Sequence, residues 1–158
     1  MLSQCVEFIR AFRFRRSIRS LIAHGMKIGN HVHIMPGVFV DEAYASLISI
    51  GDNCKIASGV KILAHDASMY RDLGYAQIGR VDIKENSFIA INAIILPGVT
   101  IGPNAIIGAG SVVNRDVPED SVAAGSPAHV ICTKDAFLNK HRDHFNNAEK
   151  YKGTVFGD

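Results

Sequence analysis

From Ile83 to Val113 a large branched apolar residue recurs at every sixth position: Ile83, Ile89, Ile95, Ile101, Ile107 and Val113. Isoleucine, valine and leucine make up about a quarter of the chain. Six such residues in fixed phase would therefore arise by chance roughly once in 4,000 trials. A second track of small or β-branched residues runs four places behind the first: Ser87, Ala93, Val99, Ala105, Ser111 and Val117. A period of six matches neither an amphipathic helix nor an alternating strand. It is the pattern of an all-β parallel β-helix, in which each hexad forms one short flat face and three faces close a coil.

In such a coil the branched residue points inward and packs on its counterpart one coil away, while the small residue lets the chain turn at a corner. Polar and turn-forming pairs fall where the corners should lie: Glu85-Asn86, Pro97-Gly98 and Pro103-Asn104. Two earlier runs follow the same rule in other phases, Ile28, Ile34, Val40 and then Ile50, Ile56, Ile62. The step from Val40 to Ile50 implies an insertion near Glu42 to Leu47, and the step from Ile62 to Ile83 exceeds a whole coil. Regular coils cannot absorb these slips. Asp66 to Gln77 (DASMYRDLGYAQ) is therefore expected to be thrown outward as a loop, the kind of place where chemistry concentrates on a rigid scaffold.

A chain of 158 residues accommodates one continuous core. Residues 1–24 form the first segment, 25–133 the β-helix with its 66–77 loop, and 134–158 a helix and tail. Ser3 to His24 mixes Phe8, Ile9, Phe12, Leu21 and Ile22 with five arginines, which suits a helix that caps the first coil or rests on an anionic membrane surface. Lys134 to Lys150 carries Phe137, Leu138, His141 and Phe145 at helical spacing. The cysteines Cys5, Cys54 and Cys132 form no metal or redox spacing, which points to free thiols in a reducing compartment. A net charge of +2 argues against nucleic acid as a partner. With no signal peptide and no long apolar run, a cytoplasmic protein is expected, with peripheral membrane contact through residues 1–24 as the variant.

The succession HDAS (His65 to Ser68), IILPGVTIG, IIGAGSVV and VAAGSPAHVI resembles the hexapeptide-repeat acyltransferases. Within them it is most similar to the sugar O-acetyltransferases of polysaccharide biosynthesis and to maltose, galactoside and serine acetyltransferases. The resemblance covers about Lys27 to Ile131. It implies a left-handed coil, against the usual crossover rule, a homotrimer with active sites between neighbouring prisms, and acetyl-CoA as co-substrate.

Acyl transfer to a hydroxyl needs a base for the alcohol proton and donors for the oxyanion. His65 ends a regular run, precedes the ejected loop and stands where the family has its catalytic histidine; a neutral imidazole suits the task. Asp66 either orients that imidazole or opens the loop with a side-chain-to-backbone turn. His31 and His33 alternate on an early coil and read as surface residues. The remaining roles come from the resemblance. The family's backbone oxyanion donor falls at Ile91, bulkier than the small residue of many relatives. Gly108, Ala109, Gly110 and Ser111 let pantetheine lie close to the backbone. Asn114 and Arg115 stand in place of Thr-Lys, and Arg115 keeps a charge for the coenzyme phosphates. Pro127 shapes the closing turn; His129 replaces a basic residue, so that either phosphate binding is weaker or Lys134 supplies the missing charge. Asp41, on an early coil, is expected to grip the acceptor together with Asp66 and a neighbour's loop.

The expected function is acetyl-CoA-dependent O-acetylation of a carbohydrate hydroxyl in capsule, exopolysaccharide or lipopolysaccharide synthesis. A sugar N-acetyltransferase and a non-catalytic assembly module on the same fold are the alternatives. A γ-carbonic-anhydrase-like metal site needs several histidines on adjacent faces, yet no histidine lies between His65 and His129. No metal is expected.

Overall fold

The computed structural model describes residues 18–146. The strands of its coils are two or three residues long and succeed one another around three faces. The first coil comprises β1 (Lys27–Ile28), β2 (His33–Ile34) and β3 (Phe39–Val40), the second β4 (Ile48–Ile50), β5 (Lys55–Ile56) and β6 (Lys61–Ile62). After an excursion come β9 (Val81–Ile83), β10 (Phe88–Ile89) and β11 (Ile94–Ile95), then β12 (Thr100–Ile101), β13 (Ile106–Ile107) and β14 (Val112–Val113). Strands one coil apart pair in parallel, so the faces are the sheets β1-β4-β9-β12, β2-β5-β10-β13 and β3-β6-β11-β14. We call them the first, second and third faces.

Register places each branched residue on its counterpart: Ile28 beside Ile50, Ile50 beside Ile83, Ile83 beside Ile101, with equivalent columns on the other two faces. Ile56, Ile62, Ile83, Ile89, Ile95, Ile101 and Ile107 are at most 1% exposed. The small track is buried too, and its two hydroxyls are satisfied inside the prism: Ser87 Oγ donates to Gly102 O (3.0 Å) and Ser111 Oγ to Gly108 O (2.7 Å).

The corners on either side of the second face take a left-handed residue in every coil. Between the first and second faces stand His31, Asn53, Asn86, Asn104 and Asp120, with φ from 51° to 58°. Between the second and third stand Gly37, Gly59, Asn92 and Gly110. Asn, Asp and Gly tolerate this region because a short polar side chain, or none, escapes the carbonyl clash. His31 and His33 are both exposed, as expected. The glycine after the first-face isoleucine serves a different need. A Cβ on Gly102 would lie 2.5 Å from the Glu119 backbone nitrogen and 2.7 Å from the Pro118 carbonyl carbon. Backbone cannot yield as a side-chain tip can. Gly102→Ala should therefore cost about 1–3 kcal/mol of stability by overpacking, read as a lowered thermal midpoint in circular dichroism.

The period slips become two outward features. A 3₁₀ segment, Glu42–Leu47, fills the first, and it buries Ala45. The second is better ordered than the loop expected: β7 (His65–Asp66) pairs antiparallel with β8 (Gln77–Ile78), and a helical turn α2 (Tyr70–Leu73) lies between them. Both leave the prism at the edge between the third and first faces, in consecutive coils.

At the N-terminal end, residues 18–23 are helical (α1), and Leu21 and Met26 are buried against the core. Ser20 Oγ donates to Glu42 Oε1 (2.8 Å), tying this helix to the 3₁₀ segment. The rest of the expected N-terminal helix, with its arginine-rich part and membrane reading, lies outside the described residues. At the other end Val117 bridges to Ile101, β15 (Ser121–Gly125) joins the second face, and β16 (Ala128–Thr133) folds back antiparallel on it. Helix α3 (Lys134–Asn146) follows, its first turn capped by Thr133 Oγ1 accepting from Ala136 N–H. The tail beyond it, to which the sequence also assigned residues, lies outside the described residues. No helix among the described residues is long and apolar enough to cross a membrane.

Candidate active site

The two excursions meet at His65. Asp41 is the residue immediately before the 3₁₀ segment, and its backbone N–H is held by Ile62 O (3.0 Å). Its carboxylate turns up against the next coil, where Oδ2 accepts from the backbone N–H of Ala64 (3.2 Å) and from Nδ1 of His65. Asp41 is only 4% exposed, whereas the His65 side chain is 38% accessible. A carboxylate accepts, so Nδ1 carries the hydrogen; in the neutral imidazole the lone pair then sits on Nε2. Among the described residues, no group bonds Nε2. The Tyr44 ring lies on the imidazole, centroids 4.8 Å apart and planes at 36°.

This geometry revises one expectation. Asp41 was expected to grip the acceptor, yet it is buried behind the imidazole with Oδ2 on protein donors. Asp66 takes the turn alternative: its Oδ1 accepts from Ser68 N–H (2.8 Å), and that bond holds its carboxyl below the usual aspartate range. Its side chain is directed at the loop, and no bond to the imidazole is formed.

The residues assigned to the coenzyme divide between two edges. Ile91 is half exposed at the edge between the second and third faces. Its carbonyl accepts from Gly110 N–H in the next coil (2.9 Å), so Ala109 and Gly110 stack on it, while its own N–H is without an acceptor among the described residues. The turn at Gly125 to Pro127 continues this edge, and Ser111 Oγ accepts from Gly125 N–H (3.2 Å). Ser111 corrects a second expectation. Its side chain belongs to the inward track and is wholly buried, so it braces this turn from within and cannot line a slot.

Asn114 and Arg115 are exposed one face-width away, after β14, on the edge that also carries His65. His129 lies exposed on β16 opposite Ala124. Lys134 is placed elsewhere again: its N–H donates to Asp120 O (2.7 Å) at the corner between the first and second faces. Its backbone therefore stands at a corner away from His129, whose missing charge it was expected to replace.

Two features escaped the sequence reading. Tyr44 is one. The other is an apolar groove of about 220 Å³ on the second face, walled by Met35, Ala57, Phe88 and Ile91. Its signal was present: Met35 and Phe88 sit at outward positions, where the repeat calls for polar residues. Among the described residues, no cluster of three or more His, Cys, Asp or Glu side chains converges on a metal-sized site.

Known proteins resemble this chain in sequence and fold. Residues 80–115 match the family described as bacterial transferase hexapeptide (six repeats), and residues 48–64 the hexapeptide repeat of succinyl-transferase. Protein CapG of Staphylococcus aureus is 39% identical over 123 residues, 73% of this chain and 70% of CapG. The galactoside O-acetyltransferase of Escherichia coli is 40% identical over 87 residues, 53% of this chain and 43% of that enzyme. Against other curated relatives the chain spans 62% and 54% of their own lengths. A hexapeptide-repeat acetyltransferase of Vibrio cholerae, solved with acetyl-coenzyme A, superposes with a TM-score of 0.62 at 29% identity, covering 69% of this chain and 60% of that one. With its stacked hexads forming a left-handed parallel β-helix, this chain belongs to the hexapeptide-repeat acetyltransferase family.

Proposed function

We propose that the protein is an acetyl-CoA-dependent O-acetyltransferase whose acceptor is a carbohydrate hydroxyl, in capsule or related polysaccharide synthesis. The observation that carries this reading is the Asp41–His65 pair, which presents an unbonded Nε2 beside an excursion from the prism. Names of relatives support the acceptor class: galactoside O-acetyltransferase, and CapG.

In this reading the thioester supplies an activated acetyl carbonyl, and the chain's own groups do the rest. Nε2 of His65 takes the hydroxyl proton while Asp41 holds the tautomer and steadies the imidazolium, which gives that proton to the coenzyme A sulfur as the acyl C–S bond breaks. The free N–H of Ile91 donates to the carbonyl oxygen as negative charge builds there. Ala109 and Gly110 leave room for the pantetheine arm along the same edge, and Arg115 answers the phosphates.

One chain supplies half of this site. His65 and Ile91 lie at opposite edges of the third face, six residues across, or about 20 Å at ~3.3 Å per residue. Reaction needs both groups within hydrogen-bond reach, ~3 Å, of the same acyl centre. A second copy must bring its Ile91 edge to the first copy's His65 edge, and a cyclic trimer closes that head-to-tail contact. Tyr70, Leu73 and Tyr75, each more than half exposed on the excursion, give it apolar surface to bury there.

Mass-detected acetyl transfer from acetyl-CoA across a panel of sugars and nucleotide sugars tests the activity, and sedimentation at micromolar concentration tests the assembly. We expect a new O-acetyl ester on at least one sugar and a particle three times the 17.1 kDa monomer. An active monomer would overturn the shared site. A trimer that fails to bind acetyl-CoA would overturn the enzyme reading.

A further inference from the structure

The period slips fall at the same prism edge in consecutive coils, and the proposed function uses only the upper one, which carries His65. The lower one, Glu42–Leu47, contains a kink at Tyr44 (φ −121°, ψ 26°), where two helical turns merge. That break in helical geometry aims the half-buried Tyr44 ring across the coil boundary onto the imidazole. The residue that opens the segment, Asp41, bonds the same ring at its Nδ1 edge. Between β11 and β12 the same edge turns with one left-handed residue, Gly98, and no inserted segment. The segment and the residue before it thus bring two groups to one imidazole: a carboxylate that fixes its edge and an aromatic ring tilted against it.

We propose that Tyr44 is a positioning residue for His65, and that the inserted 3₁₀ segment serves as its clamp. This rests on the reading of His65 as base. A carboxylate bonded at one nitrogen leaves the imidazole free to swing about that bond, and to turn Nε2 away from the acceptor. The Tyr44 ring blocks that swing. The ring alone does this, so phenylalanine should serve as well as tyrosine.

Tyr44→Ala and Tyr44→Phe are compared in the intact oligomer for turnover, for acetyl-CoA affinity and for the ring ¹⁵N and ¹H signals of His65. Tyr44→Ala should lower kcat about 10- to 100-fold through misplacement of the base, with acetyl-CoA affinity unchanged. Its His65 ring signals should move toward averaged, solvent-like values. Tyr44→Phe should restore both rate and signals. Wild-type turnover and unshifted ring signals in Tyr44→Ala would overturn the clamp and leave the base reading standing. Equal losses in the Phe and Ala variants would overturn it in favour of direct action by the hydroxyl. A His65→Ala enzyme working at wild-type rate would instead remove the reading on which the clamp rests.

Discussion

Replacing His65 with alanine is expected to lower turnover by about 10²–10⁴-fold, the range for losing a positioned general base, while fold and assembly persist. The structural side of that expectation follows from where the side chain lies. It is 38% accessible and stands outside the stacked isoleucines, so its removal opens no core cavity. The loss should fall on kcat and on kcat/KM for the acceptor together, because proton abstraction belongs to the transition state. Acetyl-CoA affinity, measured by calorimetry, should stay within a few-fold. Wild-type rates in a contamination-free preparation would take His65 out of the mechanism.

Asp41→Asn should produce the second large effect, a fall of about 10–10³-fold in turnover, by analogy with the triad carboxylate whose loss strands the wrong tautomer. An amide at this position can donate to Nδ1. The ring hydrogen then moves to Nε2, and the base atom is lost while the contact survives. Asp41→Ala should behave differently. It leaves the buried Ala64 N–H without its acceptor (3.2 Å in the native protein), a deficit of about 1–3 kcal/mol. The alanine variant should thus lose both turnover and thermal stability, the asparagine variant chiefly turnover. If Asp41→Asn kept full activity with an unchanged pH profile, Asp41 would be structural only.

What was legible in the sequence follows from what the fold must repeat. An inward isoleucine every six residues is a packing requirement of each face, so all three phased runs, from Ile28 to Val113, landed on inward positions. Breaks in that period were legible as breaks, which placed both excursions. Their internal shape was not. Tyr44 lies inside a segment where the rule is suspended, and its angle onto His65 depends on one local kink. Asp41 was singled out, but with the acceptor as partner. The reason is that its contact with His65 joins residues 24 apart, across a coil boundary whose geometry the insertion sets. Ser111 carried two readings at once, inward track and coenzyme slot, and burial decides between them. Lys134 was chosen by charge and nearness in sequence, whereas the antiparallel return of β16 carries it to another corner.

The Asp41–His65 bond crosses from the first coil to the second, and this ties the reactive edge to how such a stack comes apart. Each coil is bonded only to the ones before and after it, so opening begins at the ends and travels inward one layer at a time. The first coil is an end layer, and Leu21 and Met26 lie against it. When that layer frays, the carboxylate leaves with it while His65 stays on the layer above. The imidazole would lose its orientation long before the prism lost its shape. If His65 is the base proposed above, the competent fraction would be set by a local equilibrium at one end of the molecule rather than by its global stability.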